Sequence, residues 1–125
     1  MKKMLESLQS YLQNQGFENI FLDFMPPVEN GVEAVDLAEW NNIPENDGSA
    51  THYIQVQVRR TSYDDAKNDC RRIVELLDSG TDERVIDLSD DIFCIATPRR
   101  GAAILARGEG YTTFYCELAL WSNTR

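Results

Sequence analysis

The stretch HYIQVQVRRTSYDDAKNDCRRIVELL, residues 52–77, changes its hydrophobic period partway along. Up to Arg60 apolar and polar residues alternate. Ile54, Val56 and Val58 fall on one side, and Gln55, Gln57 and Arg59 on the other, which is the period of a half-buried strand. From Tyr63 onward the apolar residues fall at Tyr63, Ala66, Cys70, Ile73, Val74 and Leu77, the stripe of an amphipathic helix. Ser62 stands where an N-cap belongs, with Asp65 three residues on, and Asp64 and Asp65 set negative charge against the positive end of the helix dipole. A strand that hands over to a helix across so short a turn makes a sheet with helices packed on it the frame for the rest of the chain.

The remaining segments fit that frame. Met4, Leu5, Leu8, Tyr11 and Leu12 form one apolar stripe, which predicts a helix from about Lys3 to Gln15, with Gly16 placed to end it. Ile20 to Phe24 reads as a short strand stopped by Pro26 and Pro27, and Val32 to Trp40 as a second strand. Residues 41–51, NNIPENDGSAT, read as a flexible loop. Gly80 is expected to close the second helix. After it, RVIDL reads as a short strand and DIFCIATP as a strand ended by Pro98. The segment GAAILARGEGYTTFYCELALW reads as a hairpin turning at Gly108-Glu109-Gly110. The expected fold is α+β over residues 1–125: a mostly antiparallel sheet with two helices on one face, in the order α-β-β-β-α-β-β-β.

Charge is distributed unevenly. The chain carries a formal net charge of −9, and no lysine or arginine occurs between Met4 and Val58. Nine of its twelve cations are arginine, the cation favoured at protein interfaces because its planar fork pairs bidentately and is weakly hydrated. Acid dominance argues against specific nucleic-acid binding, which needs clustered cations on the phosphates. No apolar run approaches the ~20 residues that span a bilayer, and the N-terminus lacks the apolar centre of a signal peptide, so it is expected to belong to the folded domain. Three widely spaced cysteines, Cys70, Cys94 and Cys116, read as core thiols in a reducing compartment.

The pattern offers little catalytic chemistry. His52, the one histidine, could act as a base with Ser62 and Asp64, but no nucleophile-elbow pattern supports it, and it reads as an exposed strand-end residue. Asp87, Asp90 and Asp91 could hold a hard cation such as Mg²⁺; the same DLSDD string is also ordinary turn chemistry, which is the preferred reading. ATPRRGAA sets Arg99 and Arg100 on an expected loop, as an interface in preference to a phosphate grip. Trp121 lies on the face opposite Phe114 and Leu118, placed either to meet a partner or to cover the second side of the sheet.

The strings IFLDFMPP and YIQVQVRRTSYDDAKNDCRRIVELLD resemble the minor capsid and tail-completion proteins of siphophages. The resemblance rests on a strand ending in arginine (Val58, then Arg59 or Arg60), a short turn, Tyr63, and Ala66 opening an amphipathic helix. A Pro98-to-Gly101 segment before the closing strands matches loosely, and ARGEGYTTFYCEL departs from the pattern, so nothing carries over there. The resemblance implies a tail terminator-like subunit without catalytic residues or cofactor. Such a subunit forms a hexameric ring that caps the tail tube and joins it to the head connector, in the virion and, during assembly, in the host cytoplasm. Arg59, Arg60, Tyr63, Arg99, Arg100 and Trp121 are the candidate subunit-interface residues. The alternative is a monomeric cytosolic domain that binds a peptide or metabolite in a deep pocket lined by Tyr53, Trp121 and the arginines.

Overall fold

A computed structural model describes residues 3–89 and 91–124. Helix α1 spans Lys3–Asn14 and buries Met4, Leu5, Leu8 and Leu12. It ends in a Schellman motif. Gly16 takes φ +99°, its N–H bonds the Gln13 carbonyl at 3.0 Å, and the Phe17 N–H reaches back to the Leu12 carbonyl at 3.1 Å. Phe17 is thereby turned into the core.

Strands β1 (Ile20–Leu22), β2 (Ala34–Pro44) and β3 (Ala50–Arg60) precede helix α2 (Tyr63–Leu76); β4 (Ile86–Ser89), β5 (Ile92–Gly108) and β6 (Tyr111–Ser122) follow it. They form one six-stranded sheet in the order β1-β2-β3-β6-β5-β4, antiparallel except where β1 runs parallel to β2. The α+β element order read from the sequence is the order found. At the start of α2 the Ser62 hydroxyl accepts the Asp65 N–H at 3.1 Å. The helix stops at Leu76, and Gly80 sits beyond it in a following turn at φ +75°.

Both helices pack on one face. α2 lies over β3, β6 and β5, and buries Ala66, Cys70 and Ile73. α1 touches β1 and β2 and also β4, which lies at the opposite edge of the sheet. A helix about 10 Å wide reaches both edges of six strands spaced about 4.8 Å apart only if the sheet curls around it. Ile54, Val56 and Val58 of β3 and Cys116, Leu118 and Leu120 of β6 line the concave side, all with no exposed surface.

Two segments depart from the sequence reading. Residues 41–51 are not a flexible loop: β2 continues to Pro44, β3 begins at Ala50, and only a tight turn separates them. Asp47 closes that turn, its carboxylate accepting the Ser49 N–H at 3.0 Å and hydroxyl at 2.6 Å. β5 does not end at Pro98 but runs on to Gly108, so Arg99 and Arg100 are strand residues. Proline is tolerated there because β5 is by then an edge strand, and a bulge follows at Pro98/Arg100.

Candidate docking surface

The face of the sheet away from the helices is only partly covered. At one end the segment 24–33 folds over it, fastened by Arg59. The Arg59 guanidinium donates to the carbonyls of Val32 (2.8 Å), Pro26 (2.8 Å) and Gly31 (2.7 Å), and the residue is 5% exposed. Arg60 points to the helix side, donating to Asp69 of α2 at 2.9 Å and lying 3.6 Å from Glu33. This corrects the expectation that Arg59 and Arg60 offer an interface: both are buried and occupied within the subunit, one holding a loop and the other a helix.

Beneath the same segment Asp36 is 5% exposed. Burial raises its pKa above the usual carboxylate value. The Phe24 N–H, donating at 2.8 Å, pulls it back down, and neighbouring Asp23 adds to the rise.

Beyond the covered end the face is open, and it carries aromatic rings and arginines side by side. The bulge after Pro98 turns Arg99 and Arg100 to this side together. Arg99 lies over the Tyr53 ring of β3 at 5.3 Å, and Arg100 over the Tyr115 ring of β6 at 5.9 Å. Trp40 packs on Tyr53 with ring centroids 5.2 Å apart, and is itself 56% exposed. Phe93 and Trp121 form a second ring pair at 6.1 Å. The attraction of each guanidinium to the tyrosine face draws it to the sheet, and both arginines remain exposed. Neither Arg99 nor Arg100 makes an ion pair among the described residues.

Among the described residues, two clefts open on this face. One, of about 430 Å³, is lined by Thr51, Glu83, Ile95, Thr97, Ala119 and Trp121; the other, of about 360 Å³, by Ala38, Trp40, Gln55 and Glu117. Neither joins Tyr53, Trp121 and the arginines in one pocket.

Of the sequence candidates, the open face therefore gathers Arg99, Arg100 and Trp121. Tyr63 lies elsewhere, on the helix side, 38% exposed and edge-on to Phe114 at 5.2 Å, with Arg107 over its ring at 5.2 Å. Sequence reading groups Tyr53 with Trp121 and the arginines only as the pocket of the alternative and gives Trp40 no place on the surface; the packing of Trp40 beside Tyr53 depends on the bulge between Glu39 and Asn41.

The remaining chemistry-bearing side chains are used internally. His52 is not an exposed strand end. It is 1% exposed, with Nδ1 2.7 Å from a Glu39 carboxylate oxygen and Nε2 donating to the Thr124 carbonyl at 2.9 Å. Ser62 and Asp64, the other members of the considered triad, lie at the N-cap and in the first turn of α2, beyond the far end of β3. All three cysteines are buried. Burial pushes the Cys94 thiol up to about 12; a hydrogen bond with Cys70, then burial, raises Cys116, so both stay protonated and poorly nucleophilic. Asp87 lies within β4 and Asp91 immediately precedes β5, Asp90 lies outside the described residues, and no group of three metal-ligating side chains occurs among the described residues. No described helix is long and apolar enough to cross a membrane. Comparison with known proteins finds no family model and no curated protein that matches the chain.

Proposed function

We propose that the chain is a structural assembly subunit of a phage or prophage. It acts as a tail terminator-like protein that forms a ring, caps the tail tube and joins it to the head connector. The observation that carries this reading is the open sheet face, where Arg99 and Arg100 rest on Tyr53 and Tyr115 beside Trp40, with Trp121 on the same face. Arginine and large aromatics are the residues that dominate protein interfaces, and here the arginines and Trp40 are exposed and Tyr53, Tyr115 and Trp121 half-buried beside them, packed before any partner arrives. The α+β fold is also the class the siphophage resemblance implies.

A ring is built from heterologous contacts, in which one patch of a subunit meets a different patch of the next. The arginine-bearing open face supplies one patch. The cation-free stretch from Met4 to Val58, with nine acids by position 47, supplies residues for its complement. Complementarity of this kind steers encounter and fixes register. Sizing by light scattering at high protein concentration, with and without tail-tube protein, tests the proposal: a defined oligomer or a co-eluting complex supports it, and a strict monomer indifferent to salt and to tail-tube protein contradicts it.

The second reading, a peptide- or metabolite-binding domain, draws on the cleft of about 430 Å³ against Trp121. That cleft is of ligand size, but the arginines and Tyr53 that would orient a charged ligand do not line it.

A further inference from the structure

The two edges of the sheet are finished differently. At the β1 edge the strand is three residues long, and Gln9 of α1 donates its side-chain N–H to the Ile20 carbonyl at 2.7 Å. At the other edge β4 pairs with β5 only along Ile92–Cys94, and Ser79 then bonds Ala96, its N–H to the carbonyl at 2.9 Å and its hydroxyl from the N–H at 2.8 Å. From Thr97 to Gly108 the only strand beside β5 is β6, so one side of this long stretch has no strand neighbour among the described residues.

An unpaired strand edge is a template for another strand. β5 resists pairing with its own kind. It carries Pro98, three register shifts between Pro98 and Ala106, and three arginines with no acid. Two copies joined antiparallel about Ala103 would set each Arg99 opposite the partner copy's Arg107, and like charges directly opposite are destabilising. The same charges favour a strand of the other sign. Arg99 and Arg100 present positive charge on the open face, while Arg107, over Tyr63, presents it on the helix face, so an incoming strand meets arginine on both sides. Between them Ile104 and Leu105 are 48% and 47% exposed and offer an apolar contact.

We propose that the free edge of β5 receives a short acidic extended segment of another protein as an added strand. Backbone bonds supply the pairing, carboxylates meet Arg99, Arg100 and Arg107, and an apolar side chain covers Ile104 and Leu105. The bulges divide the edge into short runs, so a short segment fits better than a long one. The inference holds whether or not the protein belongs to a phage tail.

Fluorescence anisotropy with a labelled synthetic peptide that sets a pair of glutamates on each side of a central valine pair, so that carboxylates fall on both faces of the added strand, tests this. The expected result is saturable, salt-sensitive binding, weakened about tenfold in an Arg99→Glu/Arg100→Glu variant that melts like the parent. Binding is also expected to disappear when the nitrogens along one edge of the peptide backbone are methylated, because added-strand pairing needs those donors. Equal binding of a lysine-for-glutamate peptide, full binding of both edge-methylated peptides, or tighter binding of an oligothymidylate of the same charge would each overturn the proposal. So would a dimer of this chain that buries β5.

Discussion

Arg59 is the side chain whose role the structure changes most. The alternation of β3 assigns it correctly to the face opposite Ile54, Val56 and Val58. What no local pattern shows is that residues 26–32 fold back over it and present three carbonyls to one guanidinium. The three bonds leave from Nε, Nη1 and Nη2, a spread along a rigid plane that the compact ammonium of lysine does not reproduce. Arg59→Ala is therefore expected to cost about 2–4 kcal/mol in urea unfolding, and Arg59→Lys to recover little of it. Asp36, under the same segment, gives a pH-dependent prediction. A carboxyl whose folded pKa is raised contributes stability that is present below its unfolded pKa of 3.8 and is lost as pH rises through the folded value. Asp36→Asn keeps an acceptor for the Phe24 N–H without the buried charge. It should raise the melting temperature relative to the parent at pH 7, and the difference should fade as the pH is lowered towards 4. A difference that stays constant with pH would refute the assignment. The burial of His52 was not legible, because its partners, Glu39 and Thr124, lie on another strand or past the end of one.

Among the elements, the β3–α2 unit was the most readable because two independent signals agree, a change of period from two to 3.6 and a capping serine at the change. Ser62→Ala should cost about 1 kcal/mol, measured by denaturant unfolding, with the open sheet face unaffected. The β2–β3 hairpin was hidden by its composition: Asn41, Asn42 and Pro44 are poor strand formers, yet they pair with Tyr53, His52 and Ala50 of β3, and the Asp47 turn closes the ladder. β5 was truncated in the reading because Pro98 and two arginines look like a loop. On an unpaired edge, proline and charge are instead what a strand carries to avoid promiscuous pairing. That misreading concealed the surface, since Arg99 and Arg100 reach Tyr53 and Tyr115 only as strand residues.

For the molecule as a whole, the uneven charge visible in the sequence acquires a location. Arg59 and Arg60 neutralise internal needs, whereas Arg99, Arg100 and Arg107 of β5 remain exposed on a strand that has no acid. The sheet curls around α1 and buries its concave side, which leaves the opposite side, aromatic and arginine-bearing, as the surface the proposed assembly would use. Light scattering of the parent chain and of an Arg99→Glu/Arg100→Glu/Trp121→Ala variant, each at high concentration with and without tail-tube protein, tests that assignment. An assembly subunit that docks through the open face should give a defined oligomer or a tube-bound complex for the parent, and a monomer of unchanged melting temperature for the variant. A parent that stays monomeric throughout, or a variant that assembles as the parent does, would contradict it.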